Sequence, residues 1–263
     1  MRTKRLFLML CLVVAMGVQS AMAWGGYGHC CMAYVAEQHL TPEAKEKCQH
    51  YLRHSLAYYA SWMDWWRGSL HFKSVNGGHS NKTTKDGYAI NMKKGAMSHL
   101  VKALNELGNG NYKNLPDSVV RQNIIYLIHS VADMHCPVHV QFPKTTFPHY
   151  RYTVKRKGKS VNMHGFWDAS PAYKRRGWTY EMYADEVDKI SPKQAKKIIK
   201  RGDYDYWGRD ILKNTHRIYS ITTADKEITK LTAEESAAVS ALADEMAMKA
   251  AYRLAYILNT IFE

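Results

Sequence analysis

The sequence predicts a mainly α-helical, single-domain fold with one short β-hairpin near residues 150–162. Apolar residues recur at helical spacing along most of the chain, capping residues precede several of these stretches, and one stretch alternates like a strand. The 263 residues contain no internal repeat or low-complexity linker. One sizeable core is therefore expected.

The first 23 residues have the features of a secretory signal peptide. A basic start precedes the apolar run LFLMLCLVVAMGV, and Ala21-Met22-Ala23 forms a small-residue cleavage site. The apolar run is too short to span a membrane, so no stable membrane insertion is expected. Cleavage would leave a domain of residues 24–263 that begins at Trp24, and we expect it to be periplasmic or secreted.

Helices are predicted in order along the rest of the chain. Thr41-Pro42-Glu43 supplies an N-cap, a first helical residue and an acidic first turn, and Thr232 with Glu235 forms a capping box. Residues 74–88 are polar and glycine-rich and predict a loop, whereas 150–162 alternate and turn at Lys157-Gly158. The helical stretches are 28–39, a helix from 42 onward, 95–107, 117–135, 178–189, 192–200, 204–219 and 232–261.

The charge of the chain indicates which classes of binding partner it favours, and its cysteines indicate which disulfides and metal sites it could form. The chain carries a net charge of +14, and removal of the signal leaves 34 basic against 23 acidic residues, a net +11. Such an excess favours nucleic acid, an anionic membrane surface or phosphorylated substrates. Export permits disulfides among the remaining cysteines in three connectivities, but no CxxC pair indicates a thiolate zinc site. These cysteines are Cys30, Cys31, Cys48 and Cys136.

Histidines and aspartates are concentrated in a few short motifs. Two H-x-x-x-D pairs place an imidazole and a carboxylate on one face of a helix. Imidazole and carboxylate ligands suit zinc sites with open positions, and a free amine on Trp24 with its carbonyl could chelate a metal. The candidate ligands are Trp24, His29, Asp64, His71, His129, Asp133, His139, His164 and Asp168. The other histidines are expected to be ordinary surface or loop residues, and His135, on another helix face than Asp133, is left out of the ligand set.

These motifs resemble the zinc-dependent single-strand nucleases of the S1/P1 type, which share their fold with bacterial zinc phospholipase C. The resemblance covers WGGYGH, ASWMDWWR, LHF, LIHSVADMHCPVHV, VNMHGFWD, YWGRDILKNTHRIY and YRLAYILN, and so runs nearly end to end. It departs where Ser74 and Ala132 replace a usual Asp and Gly, and where PKTTFPHYRY replaces the usual turn before the hairpin.

The resemblance implies a helical fold with three zinc ions in a cleft. One ion would take Asp64, His71, His129 and Asp133; a second would take the Trp24 amine and carbonyl, His29 and Asp133; and a third would take His139, His164 and Asp168. Asp64, Arg67 and Asp133 would be catalytic, and Phe72 would stack on the nucleobase.

The implied activity is hydrolysis of single-stranded DNA or RNA to 5′-mononucleotides, with 3′-nucleotides as further substrates, by a monomeric enzyme. The alternatives are a zinc-dependent phospholipase C and a zinc-containing nucleic-acid-binding protein without turnover.

Overall fold

The computed structural model describes residues 24–65, 81–84, 89–93, 96–141, 153–173 and 175–263. It confirms the mainly α-helical fold. The helices are α1 (Gly25–Gln38), α2 (Pro42–Leu52), α3 (Leu56–Tyr59), α4 (Trp62–Trp65), α5 (Ala96–Leu107), α6 (Asp117–His135), α7 (Met163–Asp168), α8 (Tyr180–Val187), α9 (Pro192–Ile198), α10 (Tyr204–Ile221) and α11 (Ala233–Phe262). The strands are β1 (Asn81–Lys82), β2 (Val140–Gln141), β3 (Thr153–Arg156) and β4 (Lys159–Asn162).

Side-chain caps begin several helices where the sequence predicts them. The Thr41 hydroxyl accepts a hydrogen bond from the Ala44 amide at the start of α2. Thr232 and Glu235 form the predicted capping box at the start of α11, which extends over 30 residues. These caps satisfy backbone N–H groups that have no partner within the helix, so short-range sequence signals fix where these helices begin.

Helix α6 lies in the centre of the molecule. Every residue from 123 to 135 is buried, and the helix packs against α1, α2, α3, α4, α5, α10 and α11. A helix that is buried all round requires partners for every polar side chain that it carries. The polar residues near the C-terminal end of α6, including His129 and Asp133, are therefore the first place to look for a site.

Two of the short strands lie next to segments that carry candidate site residues: β2 directly follows His139, and β4 directly precedes α7. β3 and β4 form the predicted antiparallel hairpin, and its turn residues Lys157 and Gly158 have φ values of 52° and 74°, as a two-residue hairpin loop requires. The stretch 74–88 is not wholly a loop, because β1 lies within it and pairs in parallel with β2. Two-residue parallel strands form through tertiary contact, and their sequence gives no local signal.

The described residues contain no disulfide, although export would permit one. All four cysteines of the described chain are free thiols. Cys48 lies in one hydrophobic cluster and Cys31 in another. The Cys30 thiol donates to the Ala57 carbonyl at 3.5 Å, and the Cys136 thiol donates to Asp168, so neither thiol has a cysteine as its partner.

Among the described helices, none is both long enough and apolar enough to cross a bilayer.

Candidate metal centre

The described candidate ligands come from separate elements that converge on α6. Their spacing within each element follows from helix geometry, because side chains four residues apart share a face. The elements and residues are Trp24 before α1, His29 on α1, Asp64 on α4, His129 and Asp133 on α6, His139 in the 3₁₀ turn Pro137–His139, and His164 and Asp168 on α7.

A first group of ligand atoms is formed by His29, Asp64 and His129. One ligand atom from each of these buried residues lies within 4.8 Å of the other two. The imidazole rings of His29 and His129 stack with centroids 4.4 Å apart, and His129 Nε2 is 3.7 Å from Asp64 Oδ1. Two nitrogen donors and a carboxylate at these separations are a donor set that suits zinc.

A second group contains Cys136, His139 and Asp168. Its ligand atoms also lie within 4.8 Å of one another, and all three residues are buried. His139 Nε2 is 3.0 Å from Asp168 Oδ1, and His164 Nδ1 is 3.1 Å from Asp168 Oδ2. The His164 side chain is 23% exposed, whereas that of Asp168 is 1% exposed. The second group therefore reaches the surface on the side of His164.

Asp133 lies between the two groups. Its Oδ1 is 3.5 Å from His29 Nε2 and 3.4 Å from His139 Nδ1, and its Oδ2 is 3.2 Å from His129 Nε2. One carboxylate thus faces histidines of both groups. Its two oxygens approach His129 and His29 separately, as expected of a carboxylate shared between a cation at His129 and a cation at His29.

The buried polar atoms of the first group fit a bound cation. Within the described part of the chain, neither ring nitrogen of His29 and neither carboxylate oxygen of Asp64 has a hydrogen-bond partner. Buried polar atoms without hydrogen bonds are rare and costly. A cation among these atoms would satisfy them.

The electrostatics of the site are dominated by the buried carboxylates. Burial alone would lower the pKa of His129, but the charges of Asp133 and Asp64 and a hydrogen bond to the Ala60 carbonyl raise this pKa to about 9. Burial would raise the pKa of Asp133, but His129 and His139 lower it well below its usual value. Asp133 therefore remains ionised and attracts positive charge to the site.

Ala60 also fixes the orientation of the His129 ring. The Nδ1–H of His129 donates to the Ala60 carbonyl at 2.9 Å, so Nε2 faces the carboxylates. A histidine ligand is commonly oriented by such a hydrogen bond from its other nitrogen.

Trp24 is held against the helix that carries Asp133. Its indole N–H donates to the Ala132 carbonyl at 2.9 Å, and the residue is 1% exposed. Its φ of 48° lies in the left-handed region, which is uncommon for a bulky residue. Glycine at position 28 lets the backbone of α1 pack closely against Trp24 and Pro171. A Cβ on Gly28 would lie only 3.1 Å from the Trp24 Cβ and from Pro171.

Three of the predicted site residues lie outside the described residues. They are Arg67, His71 and Phe72.

His135, although buried on the same helix, belongs to another interaction. Its Nδ1–H donates to the Val131 carbonyl, and its Nε2 accepts from Arg253 at 2.9 Å. Burial and the charge of Arg253 hold its pKa well below the usual range. His135 thus joins α6 to α11 as a neutral acceptor.

The candidate ligands drawn from the sequence omitted Cys136. Its thiol donates to Asp168 Oδ1 at 3.5 Å, and burial raises its pKa to about 12. The signal was present in the spacing C-P-V-H, because residues three apart in a 3₁₀ turn lie on the same side.

Comparison with known proteins gives one family match. A family model described as S1/P1 Nuclease matches residues 24–263. The comparison with curated proteins found no match.

Proposed function

Because the chain belongs to the S1/P1 nuclease family, and is a nuclease, we propose that it is a trinuclear zinc phosphodiesterase that hydrolyses single-stranded DNA and RNA to 5′-mononucleotides. A 3′-nucleotidase activity accompanies this reaction in the proposal. The observation that carries it is the pair of buried ligand groups on either side of Asp133.

The donor set supports zinc as the metal. Imidazole nitrogens and carboxylate oxygens provide the ligands of known catalytic zinc sites. In the proposal Asp64, His129 and Asp133 hold one ion together with His71, and His29 and Asp133 hold a second with the Trp24 amine and carbonyl. His139, His164 and Asp168 hold the third, which is the most exposed because His164 reaches the surface.

When bound, the ions lower the pKa of water and neutralise charge on phosphoryl oxygens. The protein's own residues orient the metal ligands and exclude water from the site. In the proposal Asp133 is shared by the first and second ions and helps to fix their separation, and the Ala60 carbonyl orients His129. The burial of Asp64 and Asp133 removes competing water, so charges in the site interact more strongly than they would in bulk solvent.

The substrate assignment is supported by composition and by the family. The net charge of +11 on residues 24–263 attracts a polyanion. Phe72 provides an aromatic face on which any base can stack, which suits a sequence-tolerant single-strand enzyme. Arg67 stabilises negative charge on the phosphoryl and leaving oxygens in this proposal.

Export and amino-terminal processing are part of the same proposal. The family match begins at Trp24, directly after the proposed signal cleavage site. Cleavage frees the Trp24 amine beside the helix that carries Asp133. We propose that the processed protein acts as a periplasmic or secreted monomer.

Parallel substrate assays test the function. The zinc-loaded protein is incubated with single-stranded DNA, duplex DNA of the same sequence, a 3′-nucleotide and phosphatidylcholine vesicles. The proposal predicts rapid turnover of single-stranded DNA and the 3′-nucleotide, slow turnover of duplex DNA and none of the lipid. Preferential lipid hydrolysis would establish a phospholipase C, and tight DNA binding without turnover would establish a binding protein. Asp133→Asn, which keeps the shape of the side chain, controls for a contaminating nuclease.

A further inference from the structure

We infer that Cys136 is a metal ligand, and that its thiolate completes a four-ligand site with His139, His164 and Asp168. This inference rests on the proposed function only in requiring that the second group binds a metal. It changes the coordination of the most exposed ion. Four protein ligands, one of them sulfur, would bind this ion, instead of three protein ligands and an open position.

The distances around Cys136 fit ligands of a common ion. Zinc bonds of about 2.3 Å to sulfur and about 2.1 Å to nitrogen or oxygen place two ligands of a tetrahedral ion roughly 3.4–3.6 Å apart. Cys136 Sγ is 3.5 Å from Asp168 Oδ1, and His139 Nε2 is 3.0 Å from the same oxygen. Only small side-chain adjustments separate this arrangement from a coordinated one.

The local fold explains why the thiol faces the site. Cys136 is the residue that caps the C-terminus of α6, directly after His135, and Pro137 then starts a 3₁₀ turn that ends at His139. This turn sets the thiol and the imidazole three residues apart on one side. The rings of His139 and His164 stack with centroids 5.0 Å apart, so His164 reaches the same site from α7.

A second observation, independent of the thiol, also points to a cation. Asp168 is 1% exposed, and among the described residues its Oδ2 makes no hydrogen bond, although His164 Nδ1 lies 3.1 Å away. Asp168 Oδ1 is approached by the Cys136 thiol and by His139, and Oδ2 is approached by His164, which makes a mixed nitrogen, oxygen and sulfur donor set. On coordination the S–H bond breaks, its proton passes to solvent, and the sulfur lone pair binds the metal.

A thiolate ligand has two consequences for the ion. Soft sulfur ligands favour Zn²⁺ and Cd²⁺ over Mg²⁺ and Mn²⁺. Zinc sites with four protein ligands are typically structural, whereas three protein ligands leave a position for substrate. The ion at the second group should therefore be the slowest to leave on chelation, despite its exposure at His164.

Cobalt substitution tests the inference. The metal-free protein is titrated with Co²⁺, and its absorption spectrum is compared with those of Cys136→Ser and Cys48→Ser. Serine keeps an O–H donor for Asp168 but removes the sulfur, and Cys48 is a matched control because it is also buried but lies in another cluster. We expect a near-ultraviolet sulfur-to-cobalt charge-transfer band in the wild type and in Cys48→Ser, and its loss in Cys136→Ser.

The outcomes separate this inference from the proposed function. Cobalt binding with visible ligand-field bands but no charge-transfer band in the wild type would overturn the role of Cys136 and leave the metal centre intact. Failure to bind any Co²⁺ or Zn²⁺ would overturn the metal centre itself. If Cys136→Ser does not fold, zinc-edge X-ray absorption on the wild type decides the matter, because a sulfur neighbour at about 2.3 Å is expected and a shell of nitrogen and oxygen alone contradicts the inference.

Discussion

Asp133 has the most connected position of any described residue in the candidate metal centre. Its two oxygens approach His29, His129 and His139 at 3.2–3.5 Å, and its side chain is almost wholly buried. The neighbouring groups share no other carboxylate among the described residues. The geometry of the whole centre should therefore depend on this side chain more than on Asp64 or Asp168.

We predict that Asp133→Ala loses two bound metal ions and nearly all turnover. The loss in activity should exceed the 10–100-fold that is typical when an outer-shell partner of a metal ligand is removed. Asp168→Ala is the matched comparison and should lose chiefly the ion at the second group. Metal analysis of both purified variants provides the measurement, and a full complement of metal in Asp133→Ala would refute the bridging role.

At the scale of elements, α6 and α11 are joined by a buried polar contact next to the metal centre. Arg253 on α11 is 2% exposed and donates to His135 Nε2, to the Ile198 carbonyl and to Asp210. These contacts fix the C-terminal turn of α6, two residues from Asp133. The contact therefore stabilises both the fold and the position of the shared ligand.

We predict that Arg253→Met lowers the free energy of unfolding by about 1–3 kcal/mol, because His135 is left as a buried acceptor without its donor. The control is Arg209→Met, which removes an exposed pairing with Asp205 within α10 and should cost less than about 1 kcal/mol. Urea denaturation of the two variants compares them. Equal stabilities would show that the buried contact contributes no more than a surface ion pair.

The β3–β4 hairpin is attached to the rest of the protein through Glu227. Its carboxylate accepts hydrogen bonds from the amides of Lys157 and Gly158 at 3.0 and 2.8 Å. Hydrogen bonds from the Thr229 side chain and from the Gly158 amide are the main causes that lower its pKa from 4.5 to about 2. Because the folded-state pKa is depressed, the stabilisation is present above the unfolded value of 4.5 and is lost as the pH falls through about 2.

We expect Glu227→Gln to weaken the attachment of the hairpin at neutral pH and to remove this acid dependence. Hydrogen exchange at the amides of Lys157 and Gly158 should be faster in the variant, and the wild type should approach the variant near pH 2. Glu234→Gln, at an exposed position in the first turn of α11, should leave the exchange unchanged. Exchange that is the same in the wild type and Glu227→Gln at neutral pH would mean that the carboxylate charge does not hold the hairpin.

At the scale of the whole molecule, features set by residues close together in the sequence were predicted, whereas contacts between residues far apart in the sequence were not. The capped helices and the hairpin turn depend on residues within a few positions of one another, so their sequence specifies them. Trp24 and Ala132 are 108 positions apart, and their hydrogen bond could not be derived from either segment. The pairing of β1 with β2 was missed for the same reason, and so was the contact of the Cys136 thiol with Asp168 on α7, which lies 32 positions away.

In the proposal, removal of the signal peptide frees the Trp24 amine to bind a metal ion. An α-amine with a usual pKa of about 7.7–8.0 must be neutral and free to bind a metal, and a peptide bond from Ala23 removes its lone pair from coordination. We predict that protein with an added Met before Trp24 folds but holds one zinc ion fewer and turns over poorly. Zinc content and kcat are compared with those of the authentic Trp24-start protein, and equal values would exclude the amine as a ligand.

The central claim is that the metal centre hydrolyses single-stranded nucleic acid at the 3′ P–O bond. The direct measurement is mass-spectrometric product analysis of a single-stranded oligonucleotide digested by zinc-loaded protein, by chelated protein and by chelated protein resupplied with zinc. We predict 5′-mononucleotides with free 3′-hydroxyls, loss of product on chelation and recovery with zinc. Products with 3′-phosphates, or digestion that chelation does not affect, would contradict the account.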